Sequence, residues 1–365
     1  MSVFSSVNFF CVHYYCSLFV CFFWVAVFLT TICVVGGFWG DEGKGKMISY
    51  LALHDEPSVI ARGGVGPNAG HTVVWEGRTY GLRQIPSGFV YDKARLLVGP
   101  GVLVNPHVFL DEVEVTNTRN RVGLDFCCGI IEEKHVKEEE ESAHLSKKIG
   151  STKTGCGAAN AERVRRSLKL ARDIPELKEF LVDVPLEVNT AIDEGEDVIL
   201  EGTQALFLSL FHGTYPYVTS KDTGASALCS DVGVGPLKVD DVIVVFKAYV
   251  TRVGGGPLEG ELSVEEAEKR GWLERATVTG RVRRSAPFNF DLAKRSVMIN
   301  SATQIAITKM DIVFPECANV RTIDEFSKEA LEFIEKVEKA TGIPVTLLGV
   351  GPDAEDIVDL REEKL

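Results

Sequence analysis

Thr31 to Met47 reads T-I-C-V-V-G-G-F-W-G-D-E-G-K-G-K-M. Its apolar, partly β-branched opening, Ile32 to Val35, predicts a parallel strand buried on both faces. Gly36, Gly37, Gly40, Gly43 and Gly45 follow, with Lys44 and Lys46 among them, and Met47 to Leu53 is compatible with the first turns of a helix. Strand, glycine loop and helix in that order aim backbone N–H groups and a helix dipole at an anion. Glycine is required where the backbone approaches the anion closely or takes φ values that other residues avoid. The expected class is α/β.

The spacing Gly40-x4-Gly45-Lys46 nearly matches the P-loop pattern, and predicts a P-loop-NTPase-like three-layer fold around a large, mostly parallel sheet. It departs at Met47, which stands where the pattern has a hydroxyl for Mg2+. Asp41 and Glu42 place carboxylates inside the loop. A loop that only cradles phosphate gains little from an acid, whereas one that holds a metal or removes a proton uses it.

A length of 365 residues allows one large α/β domain or two. The net charge of −13 argues against a general nucleic-acid binder, so anionic substrates require local clusters of arginine and lysine. None of the 9 cysteines forms a C-x-x-C pair, and the adjacent Cys127-Cys128 is not zinc spacing. The odd number reads as reduced thiols in a cytoplasmic protein. Met1 to Thr30 holds no Lys, Arg, Asp or Glu. An apolar run of ~20 residues is long enough to span a bilayer, but no positive region precedes it and no cleavage site is evident. We expect residues 1–30 to be a dispensable extension, residues 31–365 to be the catalytic domain, and no membrane to be involved.

Further polar loops follow apolar strands along the chain. Ser58 to Ala61 runs into Arg62-Gly63-Gly64-Val65-Gly66-Pro67-Asn68-Ala69-Gly70-His71-Thr72, a place where α/β proteins carry chemistry. Val73 to Tyr80 reads as a hairpin turning at Glu76-Gly77. Gln84 to Gly88 and Leu96 to Val104 continue the strand-and-loop pattern. Asn105 caps a helix from Pro106. Lys134 to Lys148, with Glu138 to Glu141, reads as a solvated helix face or mobile loop. The small-residue loop Ile149 to Gly157 precedes a helix with Arg163, Arg165 and Arg166, which suggests an anion site. Asp197 to Gln204 is a strand whose carboxyl end presents Glu201 and Gln204. Asp241 to Ala248 is another strand. Thr277 to Arg284 is the densest basic run and suggests a clamp for a carboxylate or phosphate. Ser301 to Asp311 ends a strand with T-K-M-D, like the N/T-K-x-D element of guanine-nucleotide proteins. One aspartate accepts from both N1–H and the 2-amino group of guanine, a donor pair adenine lacks. Val345 to Pro352 adds a last strand and a glycine loop able to close over the base.

The strings G-D-E-G-K-G-K, N-A-G-H-T, H-G-T-Y-P-Y-V-T-S, T-G-R-V-R-R and T-K-M-D, in this order from about Ile32 onward, resemble the short form of the adenylosuccinate synthetase family. The departures are the hydrophobic stretch before Thr31, the loop R-G-G-V-G-P-N, and Val282 inside the arginine loop. The resemblance implies a ligase with two steps: GTP phosphorylates O6 of IMP, and the amine of aspartate then displaces that phosphate. It implies that Asp41 takes the N1 proton of IMP and that His71 acts as an acid toward the transferring phosphoryl group. Mg2+ would sit on the Asp41 carboxylate and the Gly70 carbonyl. GTP would contact Gly40, Asp41, Glu42, Gly43, Lys44, Gly45, Lys46, Gly70, His71, Thr72 and Arg283. Its guanine would be read by Lys309, Met310 and Asp311, helped by Gly349, Val350 and Gly351. IMP would contact Asp41, Lys44, Asn68, Ala69, Gly70, His71, Thr152, Gln204, Thr219 and Arg281, with Arg166 reaching the partner's site in a homodimer. Aspartate would be clamped by Thr277, Val278, Thr279, Gly280, Arg281, Val282 and Arg283. A regulatory GTP-binding switch explains the glycine loop and T-K-M-D, but neither the acid in the loop nor the arginine clamp.

Overall fold

The computed structural model describes residues 30–275, 280 and 282–365. The extension expected to be dispensable lies almost wholly outside the described residues, as do Thr277, Val278, Thr279 and Arg281 of the expected aspartate clamp.

Ten strands form one sheet: β1 (Thr31–Gly36), β2 (Val59–Arg62), β3 (Arg95–Val98), β4 (Val122–Asp125), β5 (Leu181–Val182), β6 (Val198–Glu201), β7 (Asp241–Lys247), β8 (Gln304–Thr308), β9 (Val345–Gly349) and β10 (Ile357–Asp359). Their spatial order is β10-β9-β8-β7-β1-β6-β2-β3-β4-β5. Only the edge strand β10 runs antiparallel to its neighbour. The central strand is the one whose sequence is apolar without alternation. Its two faces feed two cores: Cys33 and Val35 belong to one cluster, Ile32 and Val34 to the other. A strand buried on both sides reads as a near-continuous apolar run.

Helix α1 (Lys44–His54) lies on the second face and contributes Met47, Ile48 and Leu51 to its cluster. The helices Val184–Asp193, Ala225–Val232, Phe290–Asn300 and Lys328–Thr341 cover the first face through residues such as Val188, Leu228, Val297 and Ile334. The expected three-layer α/β architecture is therefore present. Lys44 already belongs to α1, so the helix starts a turn earlier than the apolar pattern suggested, with Gly43 at φ 87 as its N-cap. That left-handed conformation is one glycine adopts at little cost.

Local signals held in several places. The hairpin His71–Trp75 and Arg78–Leu82 turns at Glu76-Gly77. The Asn105 side chain accepts from the His107 and Val108 amides at the start of α2 (Pro106–Thr116). Gln84 to Gly88, expected to continue strand and loop, instead leads into a single 3-10 turn, Ser87–Val90. Among the described residues no helix is long and apolar enough to cross a membrane.

Because the strands β1, β2, β6, β7, β8 and β9 are parallel, their carboxyl ends share one edge of the sheet. The loops that leave that edge are 37–43, 63–70, 202–204, 309–311 and 350–351. Open parallel sheets bind ligands at this edge, and here it collects stretches more than 300 residues apart in sequence.

Candidate active site

The loop after β1 is organised from inside by one of its own acids. Glu42 is 1 % exposed. Its carboxylate accepts from the amides of Phe38 (3.2 Å) and Gly40 (2.7 Å) and from Lys44 Nζ (2.9 Å). Thr308 Oγ1, at the end of β8, donates to the Glu42 carbonyl at 2.7 Å. The carboxylate of Glu42 thus points into the protein, and its backbone is the part left for a phosphate.

Asp41 points the other way. It has φ 63, a left-handed conformation that Asp and Asn tolerate better than most residues. Its Oδ2 lies 2.8 Å from Arg283 Nε. Arg283 in turn pairs with Glu274, which also accepts from Lys247 Nζ (3.0 Å) and from the Tyr249 hydroxyl. Burial pushes the Asp41 carboxyl above the usual range, and the charges of Arg283 and Lys247 oppose that shift.

His71 is held by three side chains, Glu201, Arg62 and Ser87. Its Nδ1 lies 2.6 Å from Glu201 Oε1. The same carboxylate accepts from Arg62 Nη1 (2.7 Å), Ser87 Oγ (2.8 Å) and the Ser87 amide (2.6 Å). Strand register explains the pairing, since Arg62 of β2 lies opposite Glu201 of β6 at the carboxyl edge. Burial alone would raise the Glu201 carboxyl, but Arg62 and His71 outweigh it and hold it at about 2. The short Nδ1 contact to an ionised carboxylate assigns the proton to Nδ1. Burial, then the Arg62 charge, lowers the imidazole to about 4. His71 Nε2 is buried and finds no hydrogen-bond partner among the described residues, although buried polar atoms are almost always paired. That atom is available to a ligand.

Asp41 and His71 line one cavity of about 370 Å³, within the ~300–1,000 Å³ range of small-molecule sites. Gly40, Lys44, Asn68, Ala69, Gly70, Thr152, Gln204 and Thr219 line it too. Three of these form a network: Gln204 Nε2 donates to Asn68 Oδ1 at 2.9 Å, and Asn68 Nδ2 donates to Thr219 Oγ1 at 3.2 Å. Trp39, Leu208 and Tyr217, which sequence reasoning did not single out, supply apolar wall.

A second group gathers around Lys46. Its Nζ donates to the carbonyls of Gly351 (2.5 Å) and Asp356 (2.8 Å), tying the first glycine loop to the last. Burial lowers its ammonium to about 8, against the pull of Asp356 and Asp311. Met310 is fully buried beneath Lys309 and Asp311. Burial raises the Asp311 carboxyl, with Lys309 and Lys46 in opposition. Asp311 Oδ1 is a second buried polar atom with no hydrogen-bond partner among the described residues.

Other expected residues stand apart from the cavity wall. Thr72 is exposed on the hairpin and Arg166 is exposed at the end of α4 (Cys156–Arg165). Of the described clamp residues, Gly280 and Val282 are exposed and Arg283 is buried. Arg163, read as part of a basic face, instead donates to the carbonyls of Pro100 (2.9 Å) and Cys127 (3.1 Å).

Comparison with known proteins gives the family. A family model described as adenylosuccinate synthetase matches residues 33–175 and 168–316. An adenylosuccinate synthetase of Archaeoglobus fulgidus is 58 % identical over 332 residues, covering 91 % of this chain and 98 % of the relative. One from Methanocaldococcus jannaschii is 56 % identical over 340 residues, covering 92 % and 99 %. The solved structure of fully ligated adenylosuccinate synthetase from Plasmodium falciparum superposes with a TM-score of 0.83 at 24 % identity, covering 90 % of this chain and 99 % of that one; this likeness speaks for the fold. With its fold, its loops and the relatives in agreement, the chain belongs to the adenylosuccinate synthetase family of enzymes.

Proposed function

We infer how this member of the family joins IMP to L-aspartate with GTP as the energy donor. The observation that carries the reading is the shared cavity of Asp41 and His71, with the buried Nε2 of His71 unpartnered among the described residues. IMP lies in this cavity, held by Asn68, Gln204, Thr219 and Thr152. Asp41 removes the N1 proton, so that O6 becomes nucleophilic toward the γ-phosphorus of GTP. The O6–P bond forms as the bond from phosphorus to the β-γ bridging oxygen breaks. The aspartate amine then forms the N–C6 bond and gives up a proton, as the C6–O6 bond breaks and phosphate leaves carrying O6. Phosphorylation is needed because the oxygen on C6 is otherwise a poor leaving group.

His71 is neutral in the ligand-free protein, with its proton on Nδ1. Arrival of the triphosphate favours a proton at Nε2 as well, because nearby negative charge stabilises the cation. Glu201 stands ready to balance that charge from the far side of the ring. Arg283, paired with Asp41 and Glu274, brings a positive charge near the nucleotide. Phosphoryl transfer of this kind depends on positioning and electrostatics more than on covalent help.

Asp41 and Gly70 both line the cavity, and a carboxylate and a backbone carbonyl are hard oxygen donors of the kind Mg2+ combines with substrate phosphates. These two residues would hold Mg2+, which would supply charge neutralisation for the triphosphate. Arg166 is exposed and off the wall of its own cavity, as a residue serving a second copy would be; sedimentation at the mass of one chain with IMP present would remove the homodimer from this reading.

Omitting one substrate at a time tests the reaction. GDP forms only when IMP is present and adenylosuccinate only when aspartate is added. GTP turnover at an equal rate without either would favour a GTP-binding switch. For the base, the Asp311 carboxylate, whose Oδ1 has no hydrogen-bond partner among the described residues, is the acceptor for the guanine N–H pair. Asp311→Asn raises the KM for GTP by about tenfold to a hundredfold, the worth of hydrogen bonds to a charged group, and improves xanthosine triphosphate. Unchanged nucleotide preference would detach T-K-M-D from base selection.

A further inference from the structure

Four glutamates in a row, Glu138 to Glu141, read from sequence as a solvated face, and three of them are exposed. Glu139 is 3 % exposed and turns from α3 (Glu133–Glu141) into the wall of the IMP cavity. Its Oε2 accepts from Ser151 Oγ at 2.9 Å and from the Gly155 amide at 3.1 Å, and its Oε1 accepts from the Gly157 amide at 2.6 Å. The sequence suggested a substrate anion at the small-residue loop before α4. The structure supplies an internal one, with Glu139 filling the positive end of that helix.

The loop needs such an anchor. Gly150, Lys153 and Gly155 take φ values of 78, 58 and 81, so the segment has no repeating backbone pattern to hold it. A Cβ at Gly155 would meet Ile131 Cγ2 at 2.9 Å and His135 Cβ at 3.0 Å, so only glycine lets the loop pack this closely on α3. Ser151 Oγ, held by Glu139, also accepts from the Lys153 amide at 3.1 Å. Between these two residues sits Thr152, whose hydroxyl lies 3.1 Å from that of Thr154.

We propose that Glu139 is a positioning residue for the phosphate of IMP: its carboxylate fixes the 151–157 loop so that the Thr152 hydroxyl meets that phosphate. The proposal rests on the reading above that IMP occupies this cavity beside Thr152. Charge argues in the opposite direction, since a carboxylate near a phosphate repels it. The sign of the measured effect therefore decides between anchoring and repulsion.

The test is steady-state kinetics on the full chain with GTP, IMP and aspartate, with melting temperatures measured alongside. Glu139→Gln replaces one acceptor by a donor that faces the Gly155 amide. It raises the KM for IMP about tenfold, the scale of a lost charge-assisted hydrogen bond, while the KM for GTP and kcat stay within about twofold. Ser151→Ala, which keeps the carboxylate, gives a smaller rise in the same constant, and decides the matter if Glu139→Gln does not fold. Glu140→Gln, on the exposed side of the run, changes neither constant. An IMP KM that is unchanged or lower overturns the proposal, as does a parallel rise for IMP and GTP, or a fall in melting temperature alone. A wild-type rate that never saturates with IMP would instead remove the underlying reading, and the proposal with it.

Discussion

Asp41→Asn lowers kcat by ~10²–10⁴-fold, the range a positioned general base contributes, while the protein remains folded. Asparagine is the informative replacement because Asp41 sits at φ 63, where Asn is among the few residues that rest easily. Alanine there would add backbone strain to the chemical loss. The ion pair with Arg283 is lost, but the Asn side-chain oxygen can still accept a hydrogen bond from the buried Arg283 guanidinium. Arg283 also keeps its second partner, Glu274. The account therefore expects a melting temperature close to wild type and an almost complete loss of turnover. Near wild-type kcat in Asp41→Asn would remove the carboxylate from the chemistry.

Glu201→Gln is expected to damage activity and stability together. The carboxylate is fully buried and takes hydrogen bonds from Arg62, His71 and Ser87. Neutralising it leaves the Arg62 guanidinium buried beside a group without charge, and breaking a buried pair from one side costs about 3–5 kcal/mol. His71 also loses the acceptor that places its proton on Nδ1 and aims Nε2 into the cavity. With its acid mispositioned, kcat falls about a hundredfold, at the low end of acid–base contributions. Assays well below the melting temperature separate the two effects. IMP binding in a titration changes little, because Asn68, Gln204 and Thr219 are untouched. A destabilised variant with unchanged kcat would show that Glu201 supports the fold and not the orientation of His71.

Much of this site was legible in the chain because its parts are local. The strand Ile32–Val35 and the glycine loop after it can be read from consecutive residues. So can the hairpin at Glu76-Gly77 and the T-K-M-D at the end of β8. Each local pattern has one physical solution, and parallel strands then bring their carboxyl ends to one edge. The contacts between the parts were not legible. Glu201 pairs with residues 139, 130 and 114 positions away, and Lys46 reaches carbonyls 305 and 310 positions away. No spacing rule connects such residues; strand register and loop closure do. Glu139 failed for another reason. Its neighbours carry the same charge and face solvent, so composition gave the wrong answer for one side chain in the run. The arginine clamp was visible as a dense basic string, but not its partners: among the described residues Arg283 pairs with Asp41 and Glu274, and Arg284 with Glu261.

The central claim is that O6 of IMP, freed of the N1 proton by Asp41, attacks GTP and later departs with the phosphate. IMP carrying 18O at O6, turned over with GTP and aspartate, tests this directly through the mass of the released phosphate. Each phosphate formed with adenylosuccinate then carries one labelled oxygen. Unlabelled phosphate formed in equal amount with adenylosuccinate would contradict it.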